Sequence, residues 1–287
     1  MKQVGLVLQG GGMCGIYTSG VLDYFIEQNL FPGYVIAVSA GACNAMGYLA
    51  RDKGLGRYMF TEHLLDKRYL SWRNVLRHGC LLGMDFIFEE IPRRIRPFRY
   101  HDLFQAKERL IVGATDCETG ESVYFSKDDG ESFLTAVRAS CSIPLFTGVV
   151  EHQGVRLLDG GISDPIPINK SLADGNRWNI VVRTGWEEQV PQPINLSRPL
   201  RYLCPRYQKL FDTLFDHHAR YNRSLRLIRD LERDKQVFVI APSRPVRIKR
   251  VERNLSRMLE LYELGYADAR NAYRPLTAWL ESCLQRS

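Results

Sequence analysis

Short apolar runs, each ending in small residues, alternate along the chain with segments of helical period. Val4-Gly5-Leu6-Val7-Leu8 is one such run and stops at glycines. Strands buried on both faces have this character. A helix is expected from about Gly15 to Gln28, with Thr18, Val21, Leu22, Phe25 and Ile26 on one face. Asn29, Pro32 and Gly33 stop it. Val35-Ile36-Ala37-Val38 reads as a second buried strand, ending at Ser39. From Ala40 onward the residues are small (Ala42, Cys43, Ala45, Gly47), as in a helix packed tightly on a sheet.

The stretch from Arg51 to about Glu108 is rich in aromatics and arginines and carries helical fragments; it is expected to be an insertion or lid over the sheet edge. Leu110 to Thr115 predicts a third strand. Glu118-Thr119-Gly120-Glu121 predicts a turn, and Ser122 to Phe125 a fourth strand, forming a hairpin. A helix is expected from Phe133 to Ser140, before Pro144. Val149 to Leu158 predicts a hairpin that turns at Gln153-Gly154 and ends at Asp159-Gly160-Gly161. Asn179 to Arg183 and Val237 to Ile240 are the last strands expected. Between them, Tyr221, Leu225, Ile228 and Leu231 mark an amphipathic helix. A final helix carries Val251, Leu255, Met258, Leu259 and Tyr262 on one stripe. Strands alternating with helices imply an α/β sandwich with a largely parallel sheet. No repeat, low-complexity tract or linker interrupts the pattern.

Composition narrows the class. The 287 residues are 45% hydrophobic and 25% charged, enough for a full core. No apolar run reaches the ~20 residues of a membrane span. Met1-Lys2-Gln3 leads straight into a strand pattern without signal-peptide features, so a cytoplasmic protein is expected. Cys14, Cys43, Cys80, Cys117, Cys141, Cys204 and Cys283 form no C-x-x-C pair. Odd count and scattered spacing argue against a disulfide framework and a zinc site, leaving reduced, mostly buried thiols and no metal. The net charge is +7, with arginines gathered at Arg93-Arg94-Ile95-Arg96-Pro97-Phe98-Arg99 and from Arg244 to Arg257. Such a balance favours anionic partners, set against the plain alternative of solvated faces. No nucleic-acid motif accompanies it, so no nucleic acid is expected.

The glycines bear the first chemistry. Gly10-x-Gly12-x-x-Gly15 fits the dinucleotide fingerprint, but that fold wants an acidic residue at the end of the second strand, where this chain has Ser39. A phosphate-cradling P-loop would need Gly-Lys-Ser/Thr, and Cys14-Gly15-Ile16 is not that. The glycines better fit backbone N–H donors at a helix N-terminus. Ala37-Val38-Ser39-Ala40-Gly41 resembles a nucleophile elbow, with Ala37 in place of the first glycine. The plain alternative is an N-cap serine. Asp159, before Gly160 and Gly161, puts a carboxylate on a tight turn at the sheet edge; its plain alternative is an Asx-type turn.

The glycine loop, serine elbow and Asp-Gly-Gly turn, together with Ala139-Ser140-Cys141-Ser142-Ile143-Pro144, resemble the patatin-like phospholipase family. The likeness runs from about Val4 to Asp164 in the family's order, and beyond Arg198 it looks more like a bacterial subgroup. The resemblance implies a three-layer α/β/α sandwich with a helical insertion after the nucleophile helix. It implies a single hydrolase domain over residues 1–287: a motif-bearing core at 4–170, and C-terminal strands and helices at 171–287 that complete or flank it. It further implies a Ser–Asp dyad of Ser39 and Asp159 and an oxyanion hole from the loop Gly10, Gly11, Gly12, Met13, Cys14 and Gly15. No cofactor is implied. The resemblance, with the basic surface, implies lipid or another acyl ester as substrate class and raises the expectation of peripheral contact at the inner face of an anionic membrane. An inactive acyl-lipid-binding protein on the same fold is the alternative.

Cys14 departs from the family, which usually carries Arg or Lys there, and the change points toward simpler acyl esters. A rival triad would add His217 or His218 to Ser39 and Asp159. Those histidines lie in Phe215 to Arg220, which reads as a helix start rather than the loop such a triad uses. An aspartate base has an ordinary pKa of ~3.9, so the role requires its partial burial.

Overall fold

Every residue of the first strand is buried, and its side chains part between two separate cores. In the computed structural model, Leu6 and Leu8 join one apolar cluster while Val7 joins another. The strand therefore sits between two helical layers, as its unbroken apolar run requires. The structure describes residues 3–71, 74–75, 80–144, 146–186, 205–245, 248 and 252–285. Cys204, Val251 and part of the arginine cluster from Arg244 to Arg257 lie outside the described residues.

Among the described residues eight strands form one sheet. They are β1 (Val4–Leu8), β2 (Tyr34–Val38), β3 (Arg109–Asp116), β4 (Ser122–Ser126), β5 (Val150–His152), β6 (Val155–Asp159), β7 (Trp178–Val182) and β8 (Val237–Ile240). The helices are α1 (Ile16–Glu27), α2 (Ala40–Leu49), α3 (Leu55–Thr61), α4 (Tyr100–Gln105), α5 (Ser132–Ser140), α6 (Ile168–Ala173), α7 (Gln208–Arg233) and α8 (Leu255–Gln285). The spatial order is β5-β6-β3-β2-β1-β7-β8, with β4 also on β3. The strands β3, β2, β1, β7 and β8 are parallel, β4 and β6 run against them, and β5, antiparallel to β6, runs with them. Helices α1, α2 and α8 cover one face, and α6 and α7 the other. The fold is a three-layer α/β/α sandwich with a mostly parallel sheet.

One register places the site. On a single edge of β3, Gly113 pairs with Val38 of β2, and the next residue, Ala114, pairs with Asp159 of β6. The opposite edge is taken by β4. The parallel β2 and the antiparallel β6 thus meet end to end, and their C-terminal residues face each other.

Helix α1 differs from its one-faced expectation: Ile16 to Phe25 are all buried. The second cover is α8, which crosses it at backbone contact. A Cβ on Gly20 would collide with the Tyr262 carbonyl, and one on Gly265 with the Tyr17 carbonyl. Around this crossing, Tyr17 donates to Asp268 at 3.0 Å and Tyr262 donates to buried Asp23 at 2.7 Å. The insertion contains α3, a π-helical segment Phe86–Ile95 with Pro92 inside it, and α4. His217 and His218 also differ from expectation, lying within the 26-residue α7 rather than at a helix start.

Candidate active site

Ser39 follows β2 directly and occupies the N-cap position of α2 with φ 55° and ψ −133°. A non-glycine residue pays roughly 1–3 kcal/mol for such a conformation. Its backbone is held at both ends. The Ser39 N–H donates to Ser140 Oγ at 2.8 Å, and the Ser39 carbonyl accepts from Ala42 N–H at 2.8 Å. Ser140, fully buried at the end of α5, donates in turn to the Gly113 carbonyl at 2.6 Å.

The Ser39 side chain makes no cap bond. It donates instead to Asp159 Oδ2 at 2.7 Å. The other carboxylate oxygen, Oδ1, accepts the Gly161 N–H at 2.8 Å. Asp159 is therefore both an Asx-type turn residue and the partner of Ser39, so the two readings of it coexist. Its main chain is pinned as well: its N–H donates to the Ser142 carbonyl at 2.8 Å, and its carbonyl accepts from Thr115 Oγ1 at 2.8 Å. Ser39 and Asp159 are each only 6% exposed, which gives their contact a low-dielectric setting.

Small residues let the backbones close in. Gly160 has no room for a side chain, because a Cβ there would overlap the Gly113 carbonyl. Gly41 lies against the carbonyls of Leu8 and Gln9, and Ala37 is fully buried in β2. The glycine loop runs alongside: a Cβ on Gly10 would lie 3.0 Å from Ser39 Cβ, and one on Gly15 would lie 2.6 Å from Ala40 Cβ. Gly11 abuts the Thr184 hydroxyl. Gly12 takes φ 56° and opens a short 3-10 turn, Gly12–Gly15, that leads into α1. Cys14 lies in that turn with its thiol 3.8 Å from the Ile248 carbonyl.

A cavity of about 560 Å³ opens over Ser39. Gly12 and Met13 of the glycine loop line it beside Ser39, and Leu55, Phe60, Ile91 and Phe98 supply apolar wall from the insertion. Arg96 and Arg138 add charge to the lining, but Arg96 is held by Asp52 at 2.8 Å and Arg138 by Asp85 at 2.6 Å. In the cluster from Arg93 to Arg99, Arg93 also pairs with Glu89 at 2.7 Å and Arg99 with Asp102 at 3.3 Å. Among the described residues no group of three or more His, Cys, Asp or Glu side chains is placed to hold a metal ion.

The expectation of mostly buried thiols needs correction. Cys117 and Cys283 are buried, but Cys14, Cys43, Cys80 and Cys141 are only half-buried. Cys43 and Cys141 line the cavity, which accounts for their exposure.

A family model for patatin-like phospholipases matches residues 6–171, more than half of the chain. The chain belongs to the patatin-like phospholipase family. A second model, a domain of unknown function (DUF6363), matches residues 207–281, which include α7, β8 and most of α8. The chain is 26% identical over 269 residues to the uncharacterized protein YjjU of Escherichia coli, covering 92% of this chain and 75% of that one. It is 23% identical over 192 residues to the probable lipid hydrolase 463L of Invertebrate iridescent virus 6, covering 61% of this chain and 65% of the viral protein. The solved structure of VipD from Legionella pneumophila aligns over 94% of this chain and 66% of its own, with a TM-score of 0.48 and 14% identity.

Two features of the site escaped sequence reading. The first is the Ser140 bridge: Ser140 stood in the Ala139-to-Pro144 stretch that carries the family resemblance, but nothing in that stretch pointed to the Ser39 amide. The second is the pairing of Cys43 with Cys141, whose separation of 98 residues gave no signal at all.

Proposed function

We propose that this protein is a serine acyl-ester hydrolase acting on lipid, with Ser39 as nucleophile and Asp159 as its base. One observation carries the reading: a serine in a strained elbow donates to a buried carboxylate at 2.7 Å, at the wall of an apolar cavity. Ser39 Oγ attacks the acyl carbonyl while Asp159 Oδ2 takes its proton. The developing oxyanion is met by backbone N–H groups around Gly11 and Gly12, aided by the partial positive charge at the N-terminus of α2. Asp159 returns the proton to the departing alcohol. It then activates the water that releases the acid.

The apolar lining suits a fatty-acyl chain, since burying each methylene is worth about 0.8 kcal/mol. The reading extends to peripheral contact with an anionic bilayer. Leu65, Ile95 and Val149 are exposed apolar side chains. Val149 is part of the cavity lining, and Leu65 and Ile95 are chain neighbours of the lining residues Leu64 and Arg96. Among the described residues no helix is long and apolar enough to cross a membrane.

A fluorophosphonate probe tests the nucleophile. Wild-type protein is expected to be labelled at Ser39 and Ser39→Ala to stay unlabelled. Absence of labelling on the folded wild type overturns the assignment and leaves an acyl-binding protein on the same fold.

A further inference from the structure

Two thiols stand beside the candidate nucleophile and have no part in the chemistry above. Cys43 lies on α2, one turn after Ser39. Cys141 directly follows Ser140, the residue whose hydroxyl holds the Ser39 amide. Their sulfurs are 3.4 Å apart, and both face the cavity. The contact to Cys43 and burial both push the Cys141 thiol up. Either sulfur can be the donor in this contact, and the contact together with burial favours Cys141 as the protonated, resolving partner.

We propose that Cys43 and Cys141 form a redox-modification site that takes a hydroperoxide, closes to a disulfide and, by shifting the elements that hold Ser39, slows the hydrolase. The thiolate of Cys43 attacks the distal oxygen of the hydroperoxide. The O–O bond breaks, and the alcohol leaves with the proton that Cys43 gave up. Cys43 is then a sulfenic acid. The Cys141 sulfur attacks Cys43, the S–O bond breaks, and hydroxide departs as water with the Cys141 proton. Two electrons pass from the thiols to the peroxide, giving one disulfide, one alcohol and one water.

Closure shortens the sulfur separation from 3.4 Å to about 2.05 Å. That contraction acts on the two elements that hold Ser39: the first turn of α2 and the end of α5. Displacements of ~1 Å at a reacting group can cost 10²-fold in rate. The loss of hydrolysis rests on the function proposed above, whereas formation of the disulfide does not.

Purified protein is treated with hydrogen peroxide in one arm and a fatty-acyl hydroperoxide in another. Peptide mass spectrometry is read alongside ester turnover. The expected result is a Cys43–Cys141 cross-linked peptide and at least ~10-fold loss of turnover, both reversed by dithiothreitol. Cys141→Ser, compared with its own untreated sample, should form no such cross-link and keep its turnover. Reaction in either arm supports the site, and the faster arm names the source of the hydroperoxide. No cross-link in either arm overturns the proposal, as does a cross-link that leaves the turnover of an active protein intact. Protein with no turnover before treatment counts against the hydrolase, while the mass reading still decides the thiol chemistry.

Discussion

Ser140 Oγ accepts the Ser39 N–H at 2.8 Å and donates to the Gly113 carbonyl at 2.6 Å, so one hydroxyl ties the elbow to the neighbouring strand. Ser140→Ala leaves a buried donor and a buried acceptor unpaired, each costing about 1–3 kcal/mol. The elbow conformation loses its brace at the same time. The expected outcome is a lower melting temperature and a fall in ester turnover of ~10- to 100-fold, mostly in kcat. Steady-state kinetics beside a thermal melt reads both.

Removing either member of the Ser39–Asp159 pair should be far more severe. Ser39→Ala and Asp159→Asn are each expected to lower kcat/KM by ~10³-fold or more, the scale seen when a nucleophile or its base is lost. A backbone comparison goes with it. Ser39→Gly and Ser39→Ala both lack the hydroxyl, but only glycine tolerates φ 55° without strain. Ser39→Gly should therefore be the more stable of the two, by about 1 kcal/mol or more. Denaturant unfolding of the pair measures it, and equal stabilities would show that the elbow carries no strain.

The rival triad makes the opposite claim about histidine. His217 is buried inside α7, with Nδ1 3.4 Å from the Ile162 carbonyl. Replacing His217 and His218 together by alanine should lower thermal stability and leave turnover within ~3-fold. A drop near 10³-fold, the size of losing a triad member, would reinstate the histidine.

Membrane contact can be separated from catalysis. Ile95 is an exposed apolar side chain beside an arginine cluster whose Arg93, Arg96 and Arg99 are already paired with carboxylates. Co-sedimentation with anionic liposomes is expected to weaken as salt rises, and to weaken further in the double variant Arg94→Glu, Ile95→Asp. Binding indifferent to both salt and substitution would exclude this surface.

The crossing of α1 and α8 predicts that the C-terminal helix is integral to the fold. Gly265→Val forces a side chain into the Tyr17 carbonyl and should destabilise by about 1–3 kcal/mol or more, read in denaturant. We propose that residues 1–287 form one domain, so a chain cut before α7 should fail to give a soluble, monodisperse core. A well-folded fragment from such a cut would refute this.

Much of the sheet was legible because its strands are short apolar runs closed by glycine, serine or aspartate. The first two strands, the β3–β4 hairpin and the hairpin turning at Gln153-Gly154 all lie where the pattern puts them. Ser39 and Asp159 could be proposed because each stands where such a run ends in small residues. Less could be read in the insertion, whose apolar residues face a cavity and whose π-helical segment follows neither regular period. The full burial of α1 was hidden for another reason. It depends on a helix more than 200 residues away that meets it through glycines, and glycine adds nothing to an apolar stripe.

The end-to-end meeting of β2 and β6 on a single edge of β3 carries a mechanical implication. Hydroxyl and carboxylate are indexed by adjacent rungs of one ladder, Gly113 and Ala114, rather than by the loops that wall the pocket. Those walls can be rebuilt over evolutionary time while the spacing of Ser39 and Asp159 is left untouched.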